Sequence, residues 1–324
     1  MWEHCASWSE PMSMKEKKAA FERVNKPYES AVLTFHGVEG FDVYNCSIPF
    51  ELNGETLMYG RVEKRNEWAT SWVRLFRRTG PDEWTAVPDA MIYQLEDPYI
   101  QFLNGELVMG GTHVLKEAGK IKNLYGYFYR GASPEELRYF TTGPDMMKDI
   151  RLVPLRDGRI GVFSRPRGKQ VEEKYGSGSV IGFAVIRDLS ELTADVIANA
   201  PVIGNLFGFG EWGGCNQCYL LKDGRIGVIG HKCYQDTRSD GGKLAVYMNV
   251  AFIFDPETHQ ATEPVIIATR GSYPDAPAKL PELVDCAFTS GIVLRPDGKA
   301  DLYSGIGDTH EGRVTIDNPF PGLL

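Results

Sequence analysis

The chain has 324 residues, 43% of them hydrophobic, with a formal net charge of -8 and an isoelectric point near 5.4. This length allows one large or two smaller domains, and the acidic balance argues against a nucleic-acid partner. The sequence has no run of about 18 apolar residues and no secretory signal at its N-terminus. We therefore expect a cytoplasmic protein without a membrane partner.

The first 27 residues precede any repeat, and we predict that 1–27 is a short helical extension. Ser13 can cap a helix that ends near Val24, since Glu16 completes a capping box and Pro27 follows. The extension also carries three large aromatic side chains: Trp2, Trp8 and Phe21. Such side chains need a partner surface, which would be the rest of the chain or a second subunit in a homo-oligomer.

One pattern recurs five times along the rest of the chain: an apolar run, an Asn-Gly or Asp-Gly pair, and a second apolar run. Such a pattern predicts a β-hairpin. The turn glycines are Gly54, Gly105, Gly158, Gly224 and Gly298. Propeller repeats can have a period of about 50 residues, and longer steps leave room for insertions. We therefore predict an all-β fold in which residues 28–324 form a single five-bladed β-propeller. A large β-sandwich with five similar turns is the alternative.

The six cysteines are scattered, and only Cys215 and Cys218 form a CxxC pair. With His231 and Cys233 downstream, this pair could in principle hold zinc. The pair opens a predicted strand, however, where alternation would turn the two sulfurs to opposite faces. We therefore expect buried, reduced thiols, with no metal and no cofactor.

Antiparallel pairing brings the start of each inner strand and the end of its partner to the same rim of the propeller. The inner strands start at Asn45, Asp97, Lys148 with Asp149, Asn216 and Asp285. The partner strands end at Arg61, His113, Arg165 with Arg167, His231 with Lys232, and Asp308. Residues 168–178 are polar and bounded by glycines, which predicts a loop at this rim. Ordinary strand ends facing water are the alternative.

Cations that converge on a small volume suit a phosphate, because guanidinium groups match its oxygens. A single carboxylic acid across the cavity is what cleavage of a glycosidic bond needs in order to protonate the leaving oxygen. An inverting hydrolase would need a second carboxylate, whereas bound phosphate is already a nucleophile.

An ordered set of short motifs resembles those of known enzymes. The motifs are EDP (96–98), KD (148–149), SRP (164–166), GHK (230–232) and YSGIGD (303–308). The set is similar to that of the five-bladed mannoside phosphorylases of glycoside hydrolase family 130. It resembles even more the β-1,2-mannosyltransferase/phosphorylases of glycosyltransferase family 108. The resemblance covers about residues 40–310 and departs from the usual pattern at Tyr99, where arginine is common, and at Lys232, where family 130 often has glycine.

The resemblance implies that Asp97 is the catalytic acid, that Arg165 and His231 bind phosphate, and that Lys148 and Asp308 line the phosphate and mannose sites. Combined with the rim geometry, it gives a phosphate set of Arg165, His231, Lys148, Lys232 and Arg167. The sugar set is Asn45, Arg61, Glu96, His113, Asp149, Asn216, Asp285, Tyr303 and Asp308. The implied reaction is inverting, reversible phosphorolysis of a β-1,2-mannooligosaccharide to α-mannose 1-phosphate. Asp97 would have to be protonated near neutral pH, and we expect burial to raise its pKa.

Three other functions remain open at this stage. A sugar-nucleotide-dependent β-1,2-mannosyltransferase would need room for a nucleotide. An inverting β-mannoside hydrolase would need a base opposite Asp97, for which Asp149, Asp285 or Asp308 could serve. A non-catalytic glycan-binding propeller would keep the aromatic residues without the cations.

Overall fold

A computed structural model describes residues 12–324 and contains five β-sheets arranged as a five-bladed propeller. The predicted all-β propeller is therefore confirmed, and the sandwich alternative is wrong. Trp2, Trp8 and Cys5 lie outside the described residues. Within 12–324, no helix is both long and apolar enough to span a bilayer.

The strands follow one another blade by blade. Two short strands come first: β1 (Ser30–Val32) and β2 (Thr34–His36). Blade one contains β3 (Asp42–Tyr44), β4 (Phe50–Leu52), β5 (Glu55–Glu63), β6 (Trp72–Gly80) and β7 (Glu83–Ala86). Blade two contains β8 (Glu96–Leu103), β9 (Glu106–Glu117), β10 (Lys120–Gly131) and β11 (Arg138–Thr142). Blade three contains β12 (Arg151–Pro154), β13 (Ile160–Ser164) and β14 (Gly182–Ile186).

Blade four contains β15 (Glu211–Leu220), β16 (Ile226–Thr237), β17 (Lys243–Asp255), β18 (Gln260–Ala261) and β19 (Val265–Ala268). Blade five contains β20 (Ala287–Leu294), β21 (Lys299–Ile306) and β22 (His310–Asp317). The α-helices are α1 (Met14–Val24), α2 (Lys169–Tyr175) and α3 (Ala194–Ala198). Short 3-10 turns cover Pro134–Glu136, Leu189–Glu191, Arg270–Ser272 and Pro281–Leu283.

The five repeated hairpins use two kinds of turn. In the Asn-Gly turns both residues have positive φ, as at Asn104 (51°) and Gly105 (85°), which is the twist-matched two-residue turn. In the Asp-Gly turns only the glycine has positive φ, as at Gly158 (84°). There the aspartate caps the turn: Asp157 Oδ1 accepts a hydrogen bond from Arg159 N at 3.1 Å.

The apolar core is divided into five clusters, one between each pair of neighbouring blades. Between blades three and four, for example, Phe163 and Phe183 pack edge-on or tilted against Phe254. Burying one such side chain contributes about 1.5–3 kcal/mol, so blade-to-blade packing is the main source of stability. Hydrogen bonds near the axis add to it, since Gln101 Nε2 in blade two donates to Leu152 O (3.2 Å) and Cys218 O (3.0 Å) in blades three and four.

The ring closes by strand exchange between the two ends of the chain. The N-terminal strand β1 pairs antiparallel with the last strand, β22, with Ser30 opposite Val314. The fourth strand of blade five thus comes from the other end of the chain.

Helix α1 begins with the predicted cap, since Ser13 and Glu16 form a capping box. The helix lies against blade four, where Met14 packs with Val246 and Met248. Lys18 Nζ is 3.0 Å from Asp285 Oδ2, which fastens the helix near the start of blade five.

Blade three departs from the usual four-stranded blade, and two further local features differ from the sequence-based expectation. The sheet of blade three has three strands, and a single bridge between Gly182 and Val202 stands for the fourth. The predicted loop 168–178 contains helix α2. Cys215 and Cys218 both face the core between blades three and four, because the register shifts between Cys215 and Gln217 and reverses the alternation.

The seam between blades five and one generates a stability prediction. A Cβ atom on Gly305 would lie 1.8 Å from Asn45 Oδ1 and 2.7 Å from Asn45 N, so a side chain there must push the two blades apart. We expect Gly305→Ala to lower the free energy of unfolding by roughly 1–3 kcal/mol, measured by chemical denaturation. Gly204→Ala is the control, because no heavy atom lies within 4 Å of its Cβ position. Equal stability of the two variants would contradict this packing.

Candidate active site

Each inner strand carries one backbone irregularity near the axis, eight or nine positions before its turn glycine. In blades one to three it is a residue with left-handed φ: Asn45 (47°), Asp97 (49°) and Asp149 (59°). In blades four and five it is a register shift around Asn216 and Ser290. Such bulges re-aim side chains. Ser290 therefore occupies the position in blade five that the sequence analysis gave to Asp285.

The second strand of each hairpin has an equivalent residue seven positions after the turn glycine, and in blades one, three and four this residue lines the cavity. These residues are Arg61, Thr112, Arg165, His231 and Gly305. Side chains alternate along a strand, so the next residue points to the other face. For this reason His113 and Lys232 are absent from the residues lining the cavity. His113 instead stacks on Tyr127 with centroids 4.8 Å apart, and Lys232 Nζ is 2.9 Å from Glu211 Oε2.

The rim residues surround a cavity of about 240 Å³. Its polar lining consists of Asn45, Arg61, Glu96, Asp97, Lys148, Asp149, Arg165, Arg167, His231 and Asp308. Its apolar and aromatic lining consists of Trp68, Ala69, Val114, Ile121, Leu124, Tyr247, Leu283, Cys286 and Phe288. The volume lies below the range typical of drug-sized ligands, so the cavity is suited to a small polar molecule.

Asp97 is buried at the centre of a polar network. Its Oδ1 accepts hydrogen bonds from Asn45 Nδ2 (2.8 Å) and Arg61 Nη1 (2.9 Å), and its Oδ2 is 3.6 Å from Lys148 Nζ. Arg61 also binds Glu96 through Nη2 at 2.9 Å. Two neighbouring carboxyl groups therefore share one guanidinium.

These contacts divide the carboxyl groups of the cavity by their pKa. Burial raises the pKa of Asp97, but the charges of Arg61 and Lys148 outweigh burial and lower it below the usual range. For Glu96 and Asp308, burial outweighs the same Arg61 charge and raises the pKa. The expectation that burial would raise the pKa of Asp97 is therefore wrong when only the residues of the chain are considered. Glu96 and Asp308, whose pKa values are raised, take up a proton before Asp97 does.

Cations line the opposite side of the cavity, in blades three and four. Arg165 is held by Asp149, with Nη1 2.9 Å from Oδ2, and by Gly213 O, which accepts from Nε at 2.5 Å. Arg167 also lines the cavity, and burial and the neighbouring Arg165 charge lower its pKa. Arg167 makes no ion pair among residues 12–324 under a 4 Å limit, so its charge is available to an anion.

His231 is buried beside these arginines. Its Nδ1 lies 2.7 Å from Asn216 Oδ1, whereas its buried Nε2 has no hydrogen-bond partner within the described chain. Burial and the Arg165 charge lower the pKa of His231 to about 3, so the ring is neutral near pH 7. A buried nitrogen without a partner, next to a cavity, indicates a site that is completed by a ligand.

The remaining predicted site residues lie outside the cavity lining. Asn216 does not line the cavity but contacts His231 Nδ1 through its Oδ1 and so fixes the orientation of the imidazole ring. Asp285 pairs with Lys18 of helix α1. Tyr303 is buried in the core between blades five and one.

Tyr99, where related enzymes commonly have arginine, is buried beside an arginine from the next blade. The Arg151 guanidinium lies 4.4 Å from the centroid of the Tyr99 ring, and its Nε donates to Asn216 O at 2.6 Å.

Comparisons with known proteins fit this architecture. A family model described as "Protein of unknown function (DUF1861)" matches residues 19–322. The chain belongs to this family. No curated protein matches the chain.

Three solved structures are similar over nearly the whole chain. MPT-4, a mannose phosphorylase from Leishmania mexicana solved with a phosphate ion, is 52% identical with a TM-score of 0.90, covering 96% of both chains. MPT-1, a GDP-Man-dependent mannosyltransferase from Leishmania mexicana, is 47% identical with a TM-score of 0.88, covering 96% of this chain and 97% of its own. A hypothetical protein from Leishmania major is 51% identical with a TM-score of 0.84, covering 95% and 97%. The resemblance to mannoside phosphorylases and mannosyltransferases is confirmed.

The sequence analysis missed one buried carboxyl group that supports the site of this DUF1861 member. Glu311 accepts hydrogen bonds from Cys46 N (3.1 Å) and Ser290 Oγ (2.7 Å). It thereby holds the segment that carries Asn45, the partner of Asp97. Burial raises the pKa of Glu311 to about 7. Its position follows no hairpin motif, so only the seam between blades five and one reveals it.

This carboxyl group generates a prediction about pH. The folded state keeps a proton on Glu311 that the unfolded chain releases near pH 4.5, so its contribution to stability is full below pH 4.5 and is lost as pH rises through 7. A shift of this size corresponds to about 3 kcal/mol. Glu311→Gln cannot ionise, so its melting temperature relative to the unmodified protein should rise between pH 5 and 8.

The exposed Glu257→Gln is the matched control and should show a constant difference over the same range. A flat difference for Glu311→Gln would mean that Glu311 titrates as an ordinary carboxyl group.

Proposed function

We propose that this protein is a mannosyl-transferring enzyme, and specifically an inverting β-1,2-mannoside phosphorylase. It would transfer a mannosyl unit reversibly between a β-1,2-mannooligosaccharide and inorganic phosphate, with α-mannose 1-phosphate as the product. The similarity to MPT-4 and MPT-1 supports mannosyl transfer or phosphorolysis as the general reaction.

The observation that carries the choice of phosphate is the cation side of the cavity. Arg165 is aligned by a buried carboxylate, Arg167 has no ion-pair partner in the described chain, and His231 presents a buried free nitrogen. The two guanidinium groups suit phosphate oxygens, which they bind with two parallel hydrogen bonds. The neutral His231 ring donates through Nδ1–H to Asn216 Oδ1, so its Nε2 would accept from the hydroxyl group of hydrogen phosphate. Lys148 lies between this side and Asp97 and would contact both.

The geometry fits an in-line displacement with inversion. Asp97, in blade two, would stand at the glycosidic oxygen, and phosphate in blades three and four would attack from the other side. A bound phosphate offsets the charges of Lys148 and Arg165, which raises the pKa of Asp97 and favours its protonated form. In the synthetic direction Asp97 acts as the base, and the charges of Arg61 and Lys148 keep it in the ionised form that this role needs.

The predicted hydrolase base finds less support. Asp149 is buried and its pKa is lowered by Arg165 despite burial, because its carboxylate is engaged with that guanidinium. A carboxylate held in this way aligns an arginine and is a poor base for water. Asp285 lies at helix α1, outside the cavity lining. Asp308 lines the cavity, but burial raises its pKa and favours the neutral form, which cannot accept a proton from water.

The reaction is tested by incubating the protein with β-1,2-mannobiose, with and without phosphate. The proposal expects mannose 1-phosphate only when phosphate is present. Release of free mannose without phosphate would indicate a hydrolase. Elongation of mannobiose from GDP-mannose, with no product from phosphate, would indicate a sugar-nucleotide transferase.

Removing one phosphate ligand should affect phosphate selectively. Arg165→Ala loses charge-assisted hydrogen bonds worth about 1.5–3 kcal/mol, so we expect KM for phosphate to rise at least about tenfold. KM for the mannoside should change little. Steady-state kinetics with each substrate varied in turn provide the measurement.

Lys232→Met is the matched control, since Lys232 is engaged with Glu211 and lies outside the cavity lining. Its KM for phosphate should stay unchanged. If Lys232→Met and Arg165→Ala raised that KM equally, the assignment of phosphate to the Arg165 side would be wrong.

The acid assignment can be separated from its neighbours by isosteric variants. Asp97→Asn cannot donate a proton as a carboxylic acid does, so phosphorolysis of mannobiose should fall by about 10² to 10⁴. An aryl mannoside, whose leaving group needs less protonation, should lose much less. The measurement is the ratio of the rate on mannobiose to the rate on the aryl mannoside, compared between Asp97→Asn and the unmodified protein.

Glu96→Gln and Asp308→Asn serve as comparisons, because both carboxyl groups line the cavity and have raised pKa values. The proposal expects neither to show the selective loss. If one of them showed it and Asp97→Asn did not, the acid would be that residue.

A further inference from the structure

The cavity has one side that the proposed phosphate chemistry does not use. Trp68, Val114, Ile121 and Leu124 line it with apolar surface, and we call these four residues the apolar wall. Trp68 and Ile121 are respectively 54% and 41% exposed. Exposed aromatic and aliphatic groups that border a polar cavity mark a binding surface.

The apolar wall is carried by a loop and by an extended hairpin. Trp68 lies in the loop 64–71 between β5 and β6, and the other three residues lie on β9 and β10 of blade two. Each of these two strands is 12 residues long. Their hairpin extends beyond the level of Asp97, so it borders the opening of the cavity on the side where Asp97 lies.

The second half of the loop that carries Trp68 is held by two neighbouring side chains. Lys116 Nζ, on the extended hairpin, donates to Trp68 O and, at 2.9 Å, to Thr70 Oγ1. Glu63 accepts from Thr70 N at 2.7 Å. Glu63 is also paired with Arg61, the arginine that holds Asp97, at 3.5 Å. The orientation of Trp68 is therefore coupled to the acid.

The position of the wall determines which part of the substrate can reach it. In an inverting displacement the leaving group and the nucleophile occupy opposite sides of the reacting sugar. The acid stands at the leaving group, and both the acid and the apolar wall belong to blades one and two, whereas the phosphate ligands belong to blades three and four. The wall therefore faces the sugar that leaves in phosphorolysis, which is the acceptor in synthesis.

We propose that the apolar wall is the acceptor site, and that Trp68 packs against the apolar face of the acceptor sugar ring. This inference rests on the proposed function and specifies its second substrate. In a β-mannosyl ring the axial C–H groups at C1, C3 and C5 lie on one face and give it the apolar surface that an indole ring binds. Trp68 is a specificity-determining residue, and Lys116 is a positioning residue that keeps its loop in place.

Binding measured without turnover tests the proposal. Titration calorimetry with β-1,2-mannobiose, in the absence of phosphate, gives the affinity of unmodified protein and variants. Trp68→Ala should weaken mannobiose binding at least about tenfold, as expected for a central aromatic contact. It should leave the affinities for inorganic phosphate and mannose 1-phosphate within about twofold. Trp68→Phe keeps an aromatic face and should restore most of the affinity.

Two further variants separate a specific contact from a general loss of structure. Trp72→Ala is the matched control, because Trp72 is 42% exposed, follows the same loop and does not line the cavity. It should bind all three ligands normally. Lys116→Met should weaken mannobiose binding less than Trp68→Ala and leave phosphate binding unchanged.

The outcomes distinguish this inference from the proposed function. If unmodified protein converts mannobiose and phosphate to mannose 1-phosphate but Trp68→Ala binds mannobiose equally well, the wall is not the acceptor site and the function stands. If mannobiose binding depends on Trp68 but phosphate yields no product, the acceptor site stands and phosphorolysis is wrong. Equal weakening for mannobiose and mannose 1-phosphate, or no mannobiose binding by unmodified protein, overturns the acceptor site.

Discussion

The Asp97 carboxylate is held by three groups from the two neighbouring blades, and most of the site depends on that arrangement. Asn45 and Arg61 come from blade one and Lys148 from the segment leading into blade three, while Asp97 itself is the bulged residue of blade two. A buried carboxylate costs several kcal/mol unless it is paired and hydrogen-bonded. The neighbouring blades must therefore lie close enough to supply those partners, and the inter-blade apolar clusters keep them there.

A second buried carboxylate, Asp149, is also paired with a cation, on the other side of the cavity. Asp149 occupies the position in blade three that Asp97 occupies in blade two, yet its partner is Arg165 on the adjacent strand. The Asp97 carboxylate faces the cavity and is surrounded by cations, whereas the Asp149 carboxylate binds Arg165 and aligns it. The repeat therefore provides identical backbone positions, and the different neighbours of each position determine its chemistry.

The fold and the general place of the site followed from the sequence because they depend on short-range signals. The five turn pairs specify hairpins, and antiparallel pairing specifies one rim. The errors came from features that such signals do not encode. A bulge shifts the alternation by one, which turns Cys215 and Cys218 to the same face. Counting from each turn glycine could have excluded Asp285 and His113, since neither stands at the position that faces the axis in its blade. The lowered pKa of Asp97 could not have been predicted, because it depends on distances to Arg61 and Lys148 in other blades.

The strand exchange that closes the ring has a consequence for how activity appears during folding. Contacts between β1 and β22 join residues almost 300 positions apart, and forming such distant contacts is slow because a large loop must close first. Asn45 lies next to this seam and is held there through Glu311 of the last strand. A nascent chain can pair the hairpins of its middle blades early, but the segment that carries Asn45 is fixed through Glu311 only once the last strand has been synthesised. Local opening of the seam in the folded protein would likewise disturb Asp97 before the other blades lose their structure.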